Sequence, residues 1–307
     1  MKAIRERDRQ REQEVPLKRT NGMQDSDPSG AGSSRKPVVS VITVVYNGEA
    51  HLEQTIQSVL SQSWKRLEYI VVDGGSTDGS IDIIRNYEDR IDKWISEPDE
   101  GIYDAMNKGL ALASGDLVAF LNCGDWYNPG ALASVAEEYL RRKNGDLVIA
   151  GKWTLVLEDL DMEIHVSPSL KFSQGIPISH PAMFVPRAVY EKFGKYDLRY
   201  RYGADLDMLV RWYLQGVKFH FIDRSILNYR TQGASEKYFY DTGEDHSLII
   251  RRNLPMRTYI LHKIVRGKFN LLMELKALMR KIIGERRTNS LTRKYYQLKK
   301  LYARDWD

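Results

Sequence analysis

The sequence predicts an α/β protein: a mostly parallel sheet flanked by helices, with a helical extension at its C-terminal end. Three observations predict it. Apolar β-branched runs alternate with segments of helical period from Pro37 to about Leu121. The runs are continuously apolar rather than alternating, as in strands buried on both faces of a parallel sheet. Beyond residue 255 the helical period returns with no further strand.

Val38 to Val45 (VVSVITVV) is the first strand, and Glu49 to Gln62 places Leu52, Ile56, Val59 and Leu60 on one helical face. Leu67 to Asp73 reads as strand, Gly79 to Tyr87 as helix and Ile91 to Ser96 as a short strand. Tyr103 to Ala113 follows as helix and Asp116 to Leu121 as strand. A helix from Pro129 to Arg142 carries proline near its first turn, and extended pieces run from Asp146 to about His165, where the strict alternation ends. From Pro255 to Glu285, Leu261, Ile264, Val265, Leu272, Leu275, Leu278, Met279 and Ile282 are interspersed with Lys and Arg, which makes a basic amphipathic helix. Three parts are expected: a disordered basic extension over 1–36, ending in the Gly/Ser/Pro-rich DSDPSGAGSSRK; an α/β domain over 37–250; and a basic helical tail over 251–307.

Composition sets the outer limits. With 307 residues, 42% of them hydrophobic, the chain can bury a sizeable core, which excludes disorder throughout. No stretch approaches the roughly eighteen unbroken apolar residues of a membrane span. One cysteine, Cys123, excludes an internal disulfide and a cysteine-based zinc site, and fits a reducing, cytoplasmic compartment. MKAIRERDRQREQEV is charged where a signal peptide needs an apolar core. Residues 251–307 carry sixteen Lys/Arg against four Asp/Glu, whereas 37–250 are net acidic. A basic tail of this kind can meet an anionic membrane, nucleic acid or an acidic partner, or simply face water.

Ligands of open α/β sheets sit beyond the carboxyl ends of the strands, so the segments after Val45, Asp73 and Leu121 are expected to converge on one crevice. There is no G-x-x-x-x-G-K-[ST] loop, no G-x-G-x-x-G after the first strand and no His/Cys cluster. What remains are carboxylates: Asp73 with Asp78, Asp125, and Asp205 with Asp207. Each has an ordinary alternative, a turn for Asp73, a helix cap for Asp125 and a helix N-terminus for Asp205 and Asp207.

The runs VSVITVVYNGEAHLEQTIQSVLSQ, YIVVDGGSTDGS and EPDEGIYDAMNKGLALASGDLVAFLNCGDW, in this order and spacing, resemble a family 2 glycosyltransferase of GT-A fold. The likeness covers about 37–220 and is similar to bacterial enzymes that build capsule, exopolysaccharide or lipopolysaccharide units. It implies inverting transfer of a sugar from a nucleotide-diphosphate donor, UDP-sugar first among them, to a saccharide acceptor carried on a lipid, with Mn²⁺ or Mg²⁺ as cofactor. Asp73, with Gly75, resembles the position that contacts base or ribose, and Thr43, Tyr46 and Asn47 the other wall of that pocket. Asn107 and Lys108 belong to the family-like segment lining the donor site. Asn122-Cys123-Gly124-Asp125 stands in the place of the family's DXD motif with only Asp125 acidic, so Asp125 is the metal ligand and Asn122 and Gly124 its donor-side neighbours. Asp205 matches the general base, with Ala204 where many members have Glu, and Asp207 is left structural. His180 and Trp126 are assigned to acceptor or metal.

A lipid-linked acceptor, as the resemblance implies, would give the tail over 255–304 a role as a peripheral anchor at the inner face of the cell membrane, with packing of its apolar stripe on the domain or a partner subunit the equal alternative and nucleic acid the weaker reading of its charge. Two rival functions follow from the same residues. One is a non-catalytic nucleotide-sugar or nucleic-acid binding protein. The other is a sugar-phosphate nucleotidyltransferase, which needs a glycine- and basic-rich loop after the first strand, where VVYNGEAH has one glycine and no Lys or Arg.

Overall fold

The computed structural model describes residues 35–142, 146–174, 177–231 and 239–302. The expected extension over 1–36 lies almost wholly outside the described residues. The first strand, β1 (Val39–Val45), is buried at every position. Its β-branched side chains alternate between two cores, with Ile42 and Val44 on one face and Val39, Val41 and Val45 on the other. Helix α1 (Glu49–Leu60) buries Leu52, Thr55, Ile56 and Val59, the i, i+3, i+4, i+7 stripe of a surface helix. Next come β2 (Leu67–Asp73), α2 (Ser80–Asn86), β3 (Lys93–Ser96), α3 (Ile102–Leu112) and β4 (Leu117–Phe120). β3, β2, β1 and β4 lie side by side, all parallel. Helix α3 sits close on this sheet because Gly109 has no side chain: a Cβ there would come within 2.4 Å of Ile42 Cγ2.

The chain then changes character. β5 (Trp126–Tyr127), α4 (Ala131–Arg142), β6 (Leu147–Leu157), β7 (Met162–Val166), β8 (Met183–Pro186), α5 (Arg187–Phe193), α6 (Ala204–Leu214) and β9 (Lys218–Arg230) complete a nine-stranded sheet among the described residues. Its order is β3-β2-β1-β4-β8-β6-β9-β5, with β7 paired to β6. β8 runs antiparallel to both β4 and β6, and β6 runs parallel to β9. The sheet is therefore parallel over its first four strands and mixed beyond them.

Three helices follow, α7 (Phe239–Asn253), α8 (Met256–Ile283) and α9 (Glu285–Tyr302). The boundary expected after residue 250 falls inside α7, whose Ile249 and Ile250 are fully buried in the core that also holds Leu206 and Trp212. No helix of the described residues is long and apolar enough to cross a membrane.

Candidate active site

A cavity of about 440 Å³ opens beyond the carboxyl end of β4. It is walled by the β4–β5 loop (Asn122 to Asp125), by Ile102 and Tyr103 of α3, by Trp153 and Leu155 of β6, and by Ser179 and His180 before β8. Tyr202, Asp205, Arg230 and Thr242 of α7 close the other side. Segments far apart in sequence meet here because β4 and β8 are adjacent in the sheet and α6 packs across the core that contains Met106 and Tyr103.

Asp205 lies in the first turn of α6 and is 3% exposed. Its Oδ1 accepts from Tyr103 Oη at 3.0 Å and from the Leu206 N–H at 2.8 Å. Oδ2 faces His180 Nδ1 at 3.5 Å. Asn122 Nδ2 lies 2.9 Å from His180 Nε2, so the imidazole stands between Asn122 and Asp205. Burial works to raise the Asp205 carboxyl, but His180, the charge of His246 and the Leu206 N–H outweigh it and hold the group below the ordinary carboxylate range. Asp207, two residues on, points elsewhere: it pairs with Arg211 at 2.7 Å, and Arg211 in turn donates to the Phe193 and Lys195 carbonyls. Its carboxylate is spent on this ion pair and does not share the face of Asp205.

In the β4–β5 loop, Asp125 Oδ1 accepts from the Arg230 N–H at 3.1 Å. Burial pushes the Asp125 carboxyl up to about 8 against that hydrogen bond and the Arg230 charge. Asn122 Oδ1 is buried with no hydrogen-bond partner. Gly124 has φ +101°, and nothing lies within 4 Å of where its Cβ would stand. Among the described residues no group of three His, Cys, Asp or Glu side chains could ligate a metal. With its proton released, the Asp125 carboxyl would join the orphaned Asn122 oxygen as a hard donor, and the pair fits a Mg²⁺ or Mn²⁺ ion that takes its other ligands from phosphate and water. Burial pushes the neighbouring Cys123 thiol up to about 12, so it is no thiolate nucleophile at neutral pH.

A second group of expected residues lies at the carboxyl ends of β1 and β2, outside the lining of this cavity. Asp73 is wholly buried: Oδ2 accepts from the Gly75 and Ser76 N–H groups, both at 2.9 Å, and from Ser96 Oγ at 2.8 Å. Its Oδ1 is left without a partner. Gly75 takes φ +83°, which completes this turn. Tyr46 is 65% exposed beside it.

Other expected donor contacts are occupied by the fold itself. Thr43 Oγ1 is hydrogen-bonded to Tyr69 Oη at 3.1 Å, inside the core rather than on a pocket wall. Asn47 ties two loops together, accepting from the Thr77 N–H through Oδ1 and donating its own N–H to Ser76 Oγ, both at 2.8 Å. Asn107 Nδ2 donates to the Tyr196 carbonyl at 3.0 Å, and Lys108 pairs with Glu97 and Asp104. Trp126 lies under the Arg230 guanidinium, 5.2 Å from ring centroid, and not in the cavity lining. The aromatic groups that do line it are Tyr103, which belongs to the EPDEGIYDAMNKG segment, Tyr202, three residues before Asp205, and Trp153 and Tyr229, which carried no sequence signal.

Comparison with known proteins decides the family. The model for Glycosyl transferase family 2 matches residues 40–160. A PGL/p-HBAD biosynthesis glycosyltransferase of Mycobacterium bovis is 33% identical over 187 residues, covering 57% of this chain and 69% of that protein. The chain belongs to glycosyl transferase family 2. Among solved structures, Staphylococcus aureus TarS 1-349 in complex with UDP superposes with a TM-score of 0.54 at 19% identity, over 69% of this chain and 65% of that one. A mannosyltransferase of Pyrobaculum calidifontis in complex with GDP-Man and Mn²⁺ gives a TM-score of 0.57 at 14% identity, over 85% and 88%. The GT-A-like fold expected from the sequence is shared with both.

Proposed function

We propose that this glycosyltransferase moves a sugar, with inversion, from a UDP-sugar to a saccharide acceptor linked to a lipid, in the synthesis of a bacterial surface polysaccharide or glycolipid. The observation that carries it is Asp205: one buried carboxylate, held by Tyr103 and His180, on the wall of the same cavity as Asn122 and Asp125. Donor recognition starts at Asp73, whose unpartnered Oδ1 matches an N–H or O–H of the base or ribose. The UDP bound by the structurally similar TarS supports this donor class.

The reaction is a single displacement. The acceptor hydroxyl enters the cavity, Asp205 Oδ2 takes its proton, its oxygen bonds to the anomeric carbon, and the bond from that carbon to the diphosphate oxygen breaks. Oδ1 is already committed to Tyr103 and Leu206, which fixes the carboxylate so that Oδ2 alone receives the proton. Asp125 and Asn122 would hold Mg²⁺ or Mn²⁺, which when bound neutralises charge on the leaving diphosphate. Trp153 and Tyr202 supply flat apolar surface against which a sugar ring packs. An acceptor carried on a lipid places the enzyme at the cytoplasmic face of a membrane, as a peripheral protein.

The test is release of UDP from a panel of UDP-sugars. The wild-type chain turns over at least one of them, and Asp205→Asn stops turnover while still binding UDP within a few fold. Turnover by Asp205→Asn near the wild-type rate would overturn the assignment.

A further inference from the structure

Helix α8 buries one residue, His262, among its 28. His262 Nε2 meets Ser247 Oγ of α7 at 3.3 Å. One turn further along α8, the Arg266 guanidinium lies over Gly243. The opposite side of the helix carries Ile260, Ile264, Leu271, Leu275, Leu278 and Ile282, each between 47% and 70% exposed. At 3.6 residues per turn these six fall within a sector of roughly 60°, along a helix about 42 Å long. Exposed Lys263 and Lys281 flank the ridge on one side and Lys268 on the other. The helix holds seven Lys/Arg and one acid, Glu274.

Two occupants could cover such a ridge, a second copy of the chain or a lipid surface. Charge decides between them. Pairing two ridges would bring two strongly basic tails face to face, whereas an anionic headgroup layer satisfies the lysines and the apolar ridge together. The helix is too charged to span a bilayer, so it lies in the plane of the surface.

The arm is also joined to the cavity at two points. Its α8 half packs on α7, which contributes Thr242 to the cavity wall. Its α9 half returns along α8 to the β6–β7 hairpin, where Arg293 pairs with Asp161 at 3.2 Å and Asn289 Nδ2 donates to the Asp159 carbonyl at 3.4 Å. That hairpin contributes Leu155 and Val166 to the opposite wall.

We propose that α8 lies flat on an anionic bilayer, with the Ile260 to Ile282 ridge at the acyl boundary and the flanking lysines among the headgroups, and that this contact holds the cavity mouth at the lipid surface. The membrane contact stands on α8 alone; presentation of the cavity to a lipid-linked saccharide rests on the transferase reading above.

The experiment is co-sedimentation of the full chain with phosphatidylcholine vesicles, with and without phosphatidylglycerol. The wild-type chain partitions to the anionic vesicles about 10-fold or more over the neutral ones, and raised salt weakens it. Leu271→Glu with Leu278→Glu lowers that partition about 10-fold or more, because each substitution removes buried apolar area and adds a repelled charge. Lys263→Gln with Lys268→Gln and Lys281→Gln removes the preference for anionic lipid. Neither set touches the body of the domain, so unfolding temperature and its shift with UDP stay at wild-type values. No binding to anionic vesicles, equal binding by wild type and the Leu271/Leu278 variant, or a dimer abolished by that variant without any vesicle binding would each overturn the proposal. Loss of the UDP shift in the wild-type chain would count against the transferase reading and leave the vesicle result standing.

Discussion

Tyr103 and Asp205 are 102 positions apart in sequence and joined by a 3.0 Å hydrogen bond that fixes α6 against α3 at the cavity wall. Removing the phenol leaves Oδ1 with one donor, the Leu206 N–H. Tyr103→Phe should lower the rate of sugar transfer about 10-fold and stability by about 1 kcal/mol. Steady-state kinetics beside chemical denaturation checks both, and an unchanged rate would show that Oδ1 needs no second donor.

Asp205→Asn removes the proton acceptor and keeps the shape of the side chain. Transfer should fall about a thousandfold, while UDP affinity changes by less than a few fold. Calorimetric titration of UDP against the variant separates the two effects.

Asp73 predicts the opposite division. Its Oδ2 is used by Gly75, Ser76 and Ser96, so Asp73→Asn can keep that oxygen and place an amide N–H₂ where Oδ1 stood. An acceptor becomes a donor. UDP binding should weaken about 10-fold or more, measured by titration, with little change in unfolding temperature.

His246, packed behind Asp205, gives the pH dependence of stability. Burial lowers its pKa to about 4 in the folded state, against the pull of the Asp205 charge. The unfolded chain has the ordinary value near 6.5, so between pH 6.5 and 4 the unfolded state binds the His246 proton more readily and the His246 contribution to stability falls as pH falls, while the Asp125 carboxyl, raised to about 8 in the fold, contributes in the opposite direction across the same window. The loss is roughly 3 kcal/mol, complete near pH 4. Asp205, held low by His180, adds further loss only below the ordinary carboxylate range. Relative to wild type, His246→Leu should lose less, or gain more, unfolding free energy as pH falls across this window. An identical slope would show that His246 is not the titrating group.

Glu68 tests the base of the sheet, away from the cavity. It is 6% exposed and accepts from Ser40 Oγ at 2.5 Å, Lys93 Nζ at 2.7 Å, and the Ser114 N–H and hydroxyl at 2.8 and 2.7 Å. Glu68→Ala leaves the Lys93 ammonium without its counter-charge, with only the Leu112 carbonyl as acceptor, and should cost about 3 kcal/mol by chemical denaturation, with UDP affinity unchanged.

The parallel half of the fold was legible because β1, β2 and β4 are buried apolar runs and α1 and α3 carry clean helical stripes; strand and helix limits there agree with expectation to within about two residues. The second half was not. β9 is long but mostly half-exposed, so its KFHFIDRSILNYR shows neither continuous burial nor a strict alternation. Helix α7 sits where the charge changes sign, and composition alone drew the domain boundary through it. At the site, Asn122, Gly124, Asp125, His180 and Asp205 line one cavity because strand ends and a helix start gather there. Thr43, Asn47 and Asn107 sit at family-like positions but spend their polar atoms on internal hydrogen bonds, which local sequence does not reveal. Arg230 had no signal, since its pairing with the Asp125 loop depends on β5 joining β9.

Nucleotide and metal binding are read directly from the unfolding temperature of the full chain with millimolar UDP, GDP, dTDP or CMP, each with Mn²⁺, Mg²⁺ or EDTA. A ligand that binds only the folded state must raise it. UDP with Mn²⁺ or Mg²⁺ should raise it by several degrees, the other nucleotides less, and EDTA should reduce the UDP shift if Asn122 and Asp125 hold the cation. No shift with any nucleotide, with or without metal, would contradict a nucleotide-sugar transferase.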